Sequence, residues 1–302
     1  MKVLKIVWLV VFIGLGCLLS GCGRSMMLIH MFQGDMYWGQ GKYEEAIAKY
    51  QKVIEVDPDN WGAIAYTSIG NVYSLQGKYE DAITAYQQAI EIDSNSDSAA
   101  LAHHLQGSVY RKQGKLDNAI AEYQKAIAID SDSDPTWSYD ALGNIYHQQG
   151  KLDDAIAAYQ KIIEITPYFA VEANFDLGLI YRQQGKLDDA IDTFQKIIQN
   201  EIEIAPNREY IHLYQGMIYL TQDKLDEALA KFQKVVKVYS KEGYAHYGLA
   251  GVYSLKNEPK LAIESLQKAF DFDKSSIEYS KTDPDLEYIR QTPEFQQLIN
   301  SY

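Results

Sequence analysis

The sequence predicts an all-α solenoid of about seven helix-turn-helix units, set behind a short apolar leader and closed by a helical tail. Three observations carry that prediction. An alanine in a recurring motif returns at Ala46, Ala82, Ala119, Ala155, Ala190, Ala228 and Ala262, at intervals of 36, 37, 36, 35, 38 and 34 residues. Self-similarity at such a period marks stacked supersecondary units. Around each alanine, small and large residues keep the fixed offsets that two antiparallel helices need where they cross. Composition agrees: 47% hydrophobic and 23% charged residues belong to a folded chain. The net charge of −13 argues against nucleic-acid binding, which needs a basic surface to displace counterions.

The leader comes first. Lys2 and Lys5 precede an apolar run from Ile6 to Leu19, and small residues follow, which is the layout of a secretory signal. The ending Leu19-Ser20-Gly21-Cys22 resembles the bacterial lipobox, whose peptidase cuts before a cysteine already bearing diacylglycerol. The resemblance implies a signal over 1–21, lipid on Cys22 and a short tether over 22–26. The run is shorter than the roughly 20 apolar residues that span a bilayer, although Gly21 to Gly23 narrow the gap. An uncleaved membrane anchor therefore stays as the alternative. Losing the two lysines would leave −15, a charge that disfavours adhesion to anionic lipid, so attachment is expected to be covalent. The family's two or three acyl chains, at about 0.8 kcal/mol per buried methylene, would make it permanent. Cys17 would leave with the signal, so the mature chain would have no internal disulfide.

The repeats follow over 27–276, at about 27–60, 63–96, 100–133, 136–169, 171–206, 209–242 and 243–276. In the fourth, Gly143 is followed by Tyr146, Gly150, Ala155 and Tyr159. The other units place Gly34, Gly70, Gly107, Gly178, Gly216 or Ala250 first, each with a tyrosine three later, and then Tyr50, Tyr86, Tyr123, Phe194, Phe232 or Leu266. These motifs resemble the tetratricopeptide repeat, a family whose units wind into a right-handed superhelix that binds protein partners. Small residues permit the close helix crossing and the rings fill the volume beside it. Gly41, Gly77, Gly114, Gly150 and Gly185, then Asp223 and Asn257, stand where a left-handed residue must close the first helix. Acidic pairs such as Asp153-Asp154 open the second helix, and Pro259 starts the last one. Asn200 to Ile204 is expected to prolong the second helix of the fifth unit.

The tail, 277–302, holds two helix starts, Asp283-Pro284 and Thr292-Pro293, with Leu286, Ile289, Phe295, Leu298 and Ile299 as an apolar stripe. It is expected to form capping helices on the seventh repeat, leaving most of the groove between Asp140 and Met217 open; the alternative is that the tail itself covers the apolar end of the groove around Tyr210, Leu213, Met217 and Tyr247.

Chemistry is sought and not found. His30, His103, His212 and His246 occupy a packing position four residues before the crossing residue, where Tyr66 and Tyr139 stand in other units. The loops 93–97 and 130–134 alternate oxygen ligands but lack the glycine and glutamate of a calcium loop, so no metal is expected. The recurring Gln-Gly-Lys lacks the first glycine and the hydroxyl of a phosphate loop. No catalytic motif, cofactor site or small-molecule substrate is indicated.

One stripe of each first helix packs, and at about 100° per residue a neighbouring stripe resembles those lining the family's concave groove. It runs Met31, Asp35, Trp38; Thr67, Asn71, Ser74; His104, Ser108, Arg111; Asp140, Asn144, His147; Phe175, Leu179, Arg182; Leu213, Met217, Leu220; Tyr247, Gly251, Ser254. The candidate partner-binding residues are His104, Arg111, Asp140, Asn144, His147, Phe175, Arg182, Tyr210, Leu213, Met217 and Tyr247. Lysine is missing at the offsets of Thr67 and Asp140, which argues against the family's carboxylate clamp. The implied function is a lipid-anchored, non-catalytic scaffold that binds a protein or peptide partner during envelope assembly or secretion. A holder of a peptidoglycan hydrolase or protease is the alternative, and an enzyme with an unrecognised site is the third class. Gly23 after Cys22 lacks the aspartate that retains enteric lipoproteins at the inner membrane. The expected location is thus the periplasmic face of an outer membrane or, without one, the extracytoplasmic face of the plasma membrane.

Overall fold

The computed structural model describes residues 22–129, 135–167, 170–204, 210–274 and 276–302. The expected signal over 1–21, the side chain of Cys22 and the loop 130–134 lie outside the described residues. Two compact units divide the chain, one running to Ala141 and one from Leu142 to Tyr302.

The first unit holds three antiparallel helix pairs: α1 (Cys22–Gly39) with α2 (Tyr43–Val56), α3 (Pro58–Leu75) with α4 (Tyr79–Ile92), and α5 (Asp97–Lys112) with α6 (Leu116–Ile129). The first helix, α1, begins at Cys22. The boundary between units falls within α7 (Thr136–Gln148). In the second unit α7 packs on α8 (Leu152–Ile165), α9 (Val171–Gln183) on α10 (Leu187–Ile204), α11 (Ile211–Thr221) on α12 (Leu225–Val238), and α13 (Gly243–Leu255) on α14 (Pro259–Phe272). The added residues of the fifth repeat do prolong its second helix, which ends at Ile204. The tail forms α15 (Ser276–Ser280), a 3₁₀ turn (Pro284–Leu286), α16 (Glu287–Arg290) and α17 (Pro293–Asn300).

The crossing residues explain why the pairs close. A Cβ on Gly34 would lie 2.4 Å from the Tyr50 ring, and one on Gly178 would lie 2.6 Å from Phe194. Each ring sits sixteen residues after its glycine, and Tyr50, Tyr86, Tyr123, Tyr159, Phe194 and Phe232 are at most 2% exposed. Only a bare Cα leaves room for so large a buried ring at that spot. The seventh pair uses the other solution, Ala250 with Leu266, both fully buried.

Turn chemistry is equally local. Gly150 has φ +70°, and Asp223 and Asn257 adopt φ +56° and +57° at the equivalent place. The next residue then returns its N–H to the first-helix tyrosine, as Lys151 does to the Tyr146 carbonyl at 2.9 Å. The Lys151 ammonium lies 5.9 Å from the centre of that ring, and Lys42, Lys78, Lys115, Lys186 and Lys224 repeat the contact. A cation over a partly exposed ring contributes about 0.5–1 kcal/mol. This is the use of the lysine in Gln-Gly-Lys. Its glutamine serves the next interface: Gln76 and Gln113 donate to Glu44 and Glu80, Gln184 to Asp153, and Lys256 takes the place against Asp226.

Candidate functional site

The stripe beside the crossing residue has two chemistries, set by the ring beneath it. In the first three pairs, where the second-helix aromatic is tyrosine, its hydroxyl reaches the residue after the crossing glycine. Tyr50 donates to Asp35 at 2.8 Å, Tyr86 to Asn71 at 2.7 Å, and the Ser108 and Tyr123 hydroxyls are hydrogen-bonded to each other at 3.1 Å. Where the ring is phenylalanine, 194 or 232, that residue is Leu179 or Met217. A buried hydroxyl needs a partner and a phenyl ring does not, so polarity at this position follows the packing of its own helix pair.

In the first unit, His104, Arg111 and Asp140 gather around the Tyr123 hydroxyl. The His104 ring lies 5.3 Å from Tyr123 and 6.3 Å from Trp137, and its Nδ1 is 3.0 Å from Ser138 Oγ. Burial, then the Arg111 charge, hold the His104 pKa below its usual value. Arg111 and Asp140 act on the Tyr123 hydroxyl with opposite sign, though burial dominates and raises it. Leu101 and Trp137 beside them are 42% and 70% exposed, leaving an apolar shelf at the edge of this cluster.

In the second unit the expected open groove is filled, and the chain's own tail fills it. Running from α15 into the 3₁₀ turn, the segment 276–285 forms a strap over α7, α9 and α13. The Tyr279 ring lies 4.4 Å from His147 and its hydroxyl donates to Asp176 at 3.2 Å. Gln183 donates to Thr282 at 3.3 Å, and Tyr247 donates to Asp283 at 2.9 Å. Arg182 donates to Asp285 at 2.5 Å, with only 11% and 13% of the two side chains exposed. Three candidates, His147, Arg182 and Tyr247, are thus brought together, but around a segment of the chain itself. The expectation that 277–302 would leave this face open is corrected. The apolar stripe of the tail docks on the last pair as expected, while its polar N-terminal half turns back along the first helices.

Burial, then the Asp285 charge beside it, push the Asp283 carboxyl up to about 6, against the pull of Arg182. Burial and the same carboxylate raise Tyr247 well above its usual value, so it stays a hydroxyl donor. His147 is held low by burial, opposed by a contact to Gln183 at 2.8 Å.

Other candidates belong to the interior. Phe175, Leu213 and Met217, at 5%, 2% and 4% exposure, lie in one core cluster with Phe194, Tyr214 and Phe232. Helical offsets alone place them on a groove face, but apolar side chains there are drawn under the neighbouring first helices, and Phe175 packs edge-on against Tyr244 at 4.8 Å. Tyr210 precedes α11, donates to Glu242 and stacks on Tyr239 at 5.3 Å, so it serves an inter-helix corner. Asn144 is half-buried on α7. The packing histidines do pack: His246 is 7% exposed against Phe272, and His103 pairs at 2.6 Å with the buried Glu122. Burial works to raise the Glu122 pKa, but hydrogen bonds from His103 and Lys125 outweigh it and hold the group low. Sequence reasoning missed that pair, and nothing in the repeat pattern signals it.

The comparisons with known proteins agree with this architecture. Models described as the tetratricopeptide repeat match residues 25–95 and 97–167, and residues 141–208 and 213–276. No curated protein matches the chain. Among solved structures, a tetratricopeptide repeat protein from Parabacteroides merdae ATCC 43184 is 16% identical, covers 87% of this chain and 98% of its own, and has a TM-score of 0.61. PilW, described as a widely conserved type IV pilus biogenesis factor, is 19% identical over 72% of this chain and 96% of its own, at 0.54. MamA is 31% identical over 61% of this chain and 97% of its own, at 0.49. The first two likenesses show the fold alone.

Proposed function

Because the chain belongs to the tetratricopeptide repeat family, we propose that it is a non-catalytic scaffold, anchored to a bacterial envelope membrane through lipid on Cys22, that holds a protein or peptide partner on the stripe of its first helices. The observation that carries the binding part is the strap. Side chains of α7, α9 and α13 already hold a peptide segment by its tyrosine, hydroxyl and carboxylates, so this face has the donors and rings that peptide recognition uses. Arginine and aromatic side chains are the ones that dominate binding energies. The anchor rests on the Leu19-Ser20-Gly21-Cys22 ending behind its apolar run.

Two measurements test the two parts separately. Metabolic labelling with a clickable fatty acid is expected to mark the wild-type chain and not Cys22→Ser; undiminished label in the variant would remove the anchor. Affinity capture from crosslinked envelopes is expected to recover a partner whose crosslinks map to first helices. Crosslinks confined to second helices would refute the stripe as the binding face.

A further inference from the structure

The tail does two different jobs with two different chemistries. Leu286, Ile289, Phe295 and Leu298 are nearly or fully buried against Ala250, Leu266 and Phe270, an apolar cap of the kind a solenoid end needs. The strap that precedes it is polar, and four of its side chains are read individually, Tyr279 by His147 and Asp176, Thr282 by Gln183, Asp283 by Tyr247 and Asp285 by Arg182. A cover needed only to exclude water would be apolar. Burying Arg182 with Asp285 returns little stability, because desolvation offsets the attraction, but a segment lacking the carboxylate would strand a buried charge.

Moreover, the strap is an imperfect fit. Arg182 engages Asp285 through one terminal nitrogen, while its buried Nε has no hydrogen-bond partner among the described residues. A guanidinium gains most from a two-pronged carboxylate contact, which this strap does not make. Asp283 and Asp285 repel each other across the same cation. A cavity of about 40 Å³ remains beside them, lined by Leu179, Arg182, Tyr244 and Tyr279 among others.

We propose that the strap is an intramolecular ligand, and that the partner which displaces it is an acidic peptide segment carrying a tyrosine four residues before the first of two alternating aspartates. The proposal deepens the scaffold reading and rests on it. Joined to α14 by a few residues, the strap competes at an effective concentration of roughly millimolar. The face is therefore closed to weak, general peptides and opens only to a segment that makes the same contacts better. The fork on Arg182 is where a better ligand gains.

The test uses the whole mature chain with a fluorescent peptide copied from residues 276–287 as the probe. In the chain carrying Tyr279→Ala and Asp285→Asn, with the cap intact, fluorescence polarisation is expected to detect binding at least tenfold tighter than in the wild type. Adding Arg182→Gln to that chain, or the two strap changes to the peptide, is expected to abolish it. On the wild-type chain, excess peptide is expected to speed amide exchange over 277–285 while 293–300 stays protected, a readout independent of whether the variants fold well. Equal binding to both chains, or unchanged exchange at saturating peptide, overturns the proposal. Should those results fail while envelope capture still recovers a partner on the first helices, the intramolecular ligand falls and the scaffold reading stands.

Discussion

Arg182 and Asp285 lie 103 residues apart in sequence and meet at 2.5 Å, almost fully enclosed, where the tail crosses α9. The contact joins a first helix in the middle of the repeats to a segment beyond the last of them. Around it gather Asp283, Tyr247 and the Arg290 guanidinium, which donates to the Asp283 carbonyl.

That cluster has a pH signature. The folded pKa of Asp283, about 6, stands above its ordinary value of 3.8. The folded state therefore holds the extra proton between those values, and stability falls as pH rises through the window. The facing groups are Asp285, Arg182, Tyr247 and Arg290. Asp283→Asn is expected to flatten this part of the profile and to stabilise the strap near neutral pH. Melting curves from about pH 4 to 7 would check it; parallel profiles for the two proteins would contradict it.

The crossing glycines predict a compensating pair. Gly178→Ala puts a Cβ 2.6 Å from a fully buried ring, so it is expected to cost about 1–3 kcal/mol despite alanine's helix preference. Gly178→Leu is expected to cost several times more. In a Phe194→Leu background the alanine penalty should shrink by more than half. Urea denaturation of the four proteins in the cycle measures the coupling, and additive effects would show that the ring does not limit the crossing.

A second cycle tests the hydroxyl rule. Tyr86→Phe strips Asn71 of its donor and is expected to cost about 1 kcal/mol, as is Asn71→Leu for the reverse reason. The double variant copies the natural Leu179 and Phe194 combination and is expected to recover most of either loss. Chemical denaturation decides this too. A double variant as costly as the sum of the singles would show that the pairing carries no weight.

The cap should behave as core. Phe295, 2% exposed, packs with Leu266 and Phe270, and Phe295→Ala is expected to cost about 3–5 kcal/mol and to promote self-association. Thermal melts with light scattering check both. An unchanged melt would mean that the last pair needs no cover.

The repeat architecture was legible in the sequence because every determinant of a helix pair lies within about one period: Gly178 and Phe194 are sixteen residues apart, and Gly185 follows at the turn. The strap was not legible. Most of its contacts join single residues about a hundred positions apart, and one arginine facing two aspartates leaves no periodic trace. Phe175, Leu213 and Met217 share the helical offsets of the groove stripe yet lie in the core, a difference that offsets alone do not carry. The signal was present: phenylalanine replaces tyrosine at 194 and 232 in the same repeats where the stripe residue turns apolar. The helix starts at Asp283 and Thr292 were readable, since each cap is closed by its own side chain.

The glutamine contacts between neighbouring pairs bear on how such a chain can be lengthened. Gln76 meets Glu44, Gln113 meets Glu80, and Gln184 meets Asp153, each module offering a donor to the one before it and an acid to the one after. Donor and acceptor occupy the same two addresses in these modules, while the spacing between modules varies from 34 to 38 residues. A gene segment copied or lost by unequal recombination would therefore still find its neighbours, because the adhesive groups travel inside the duplicated piece.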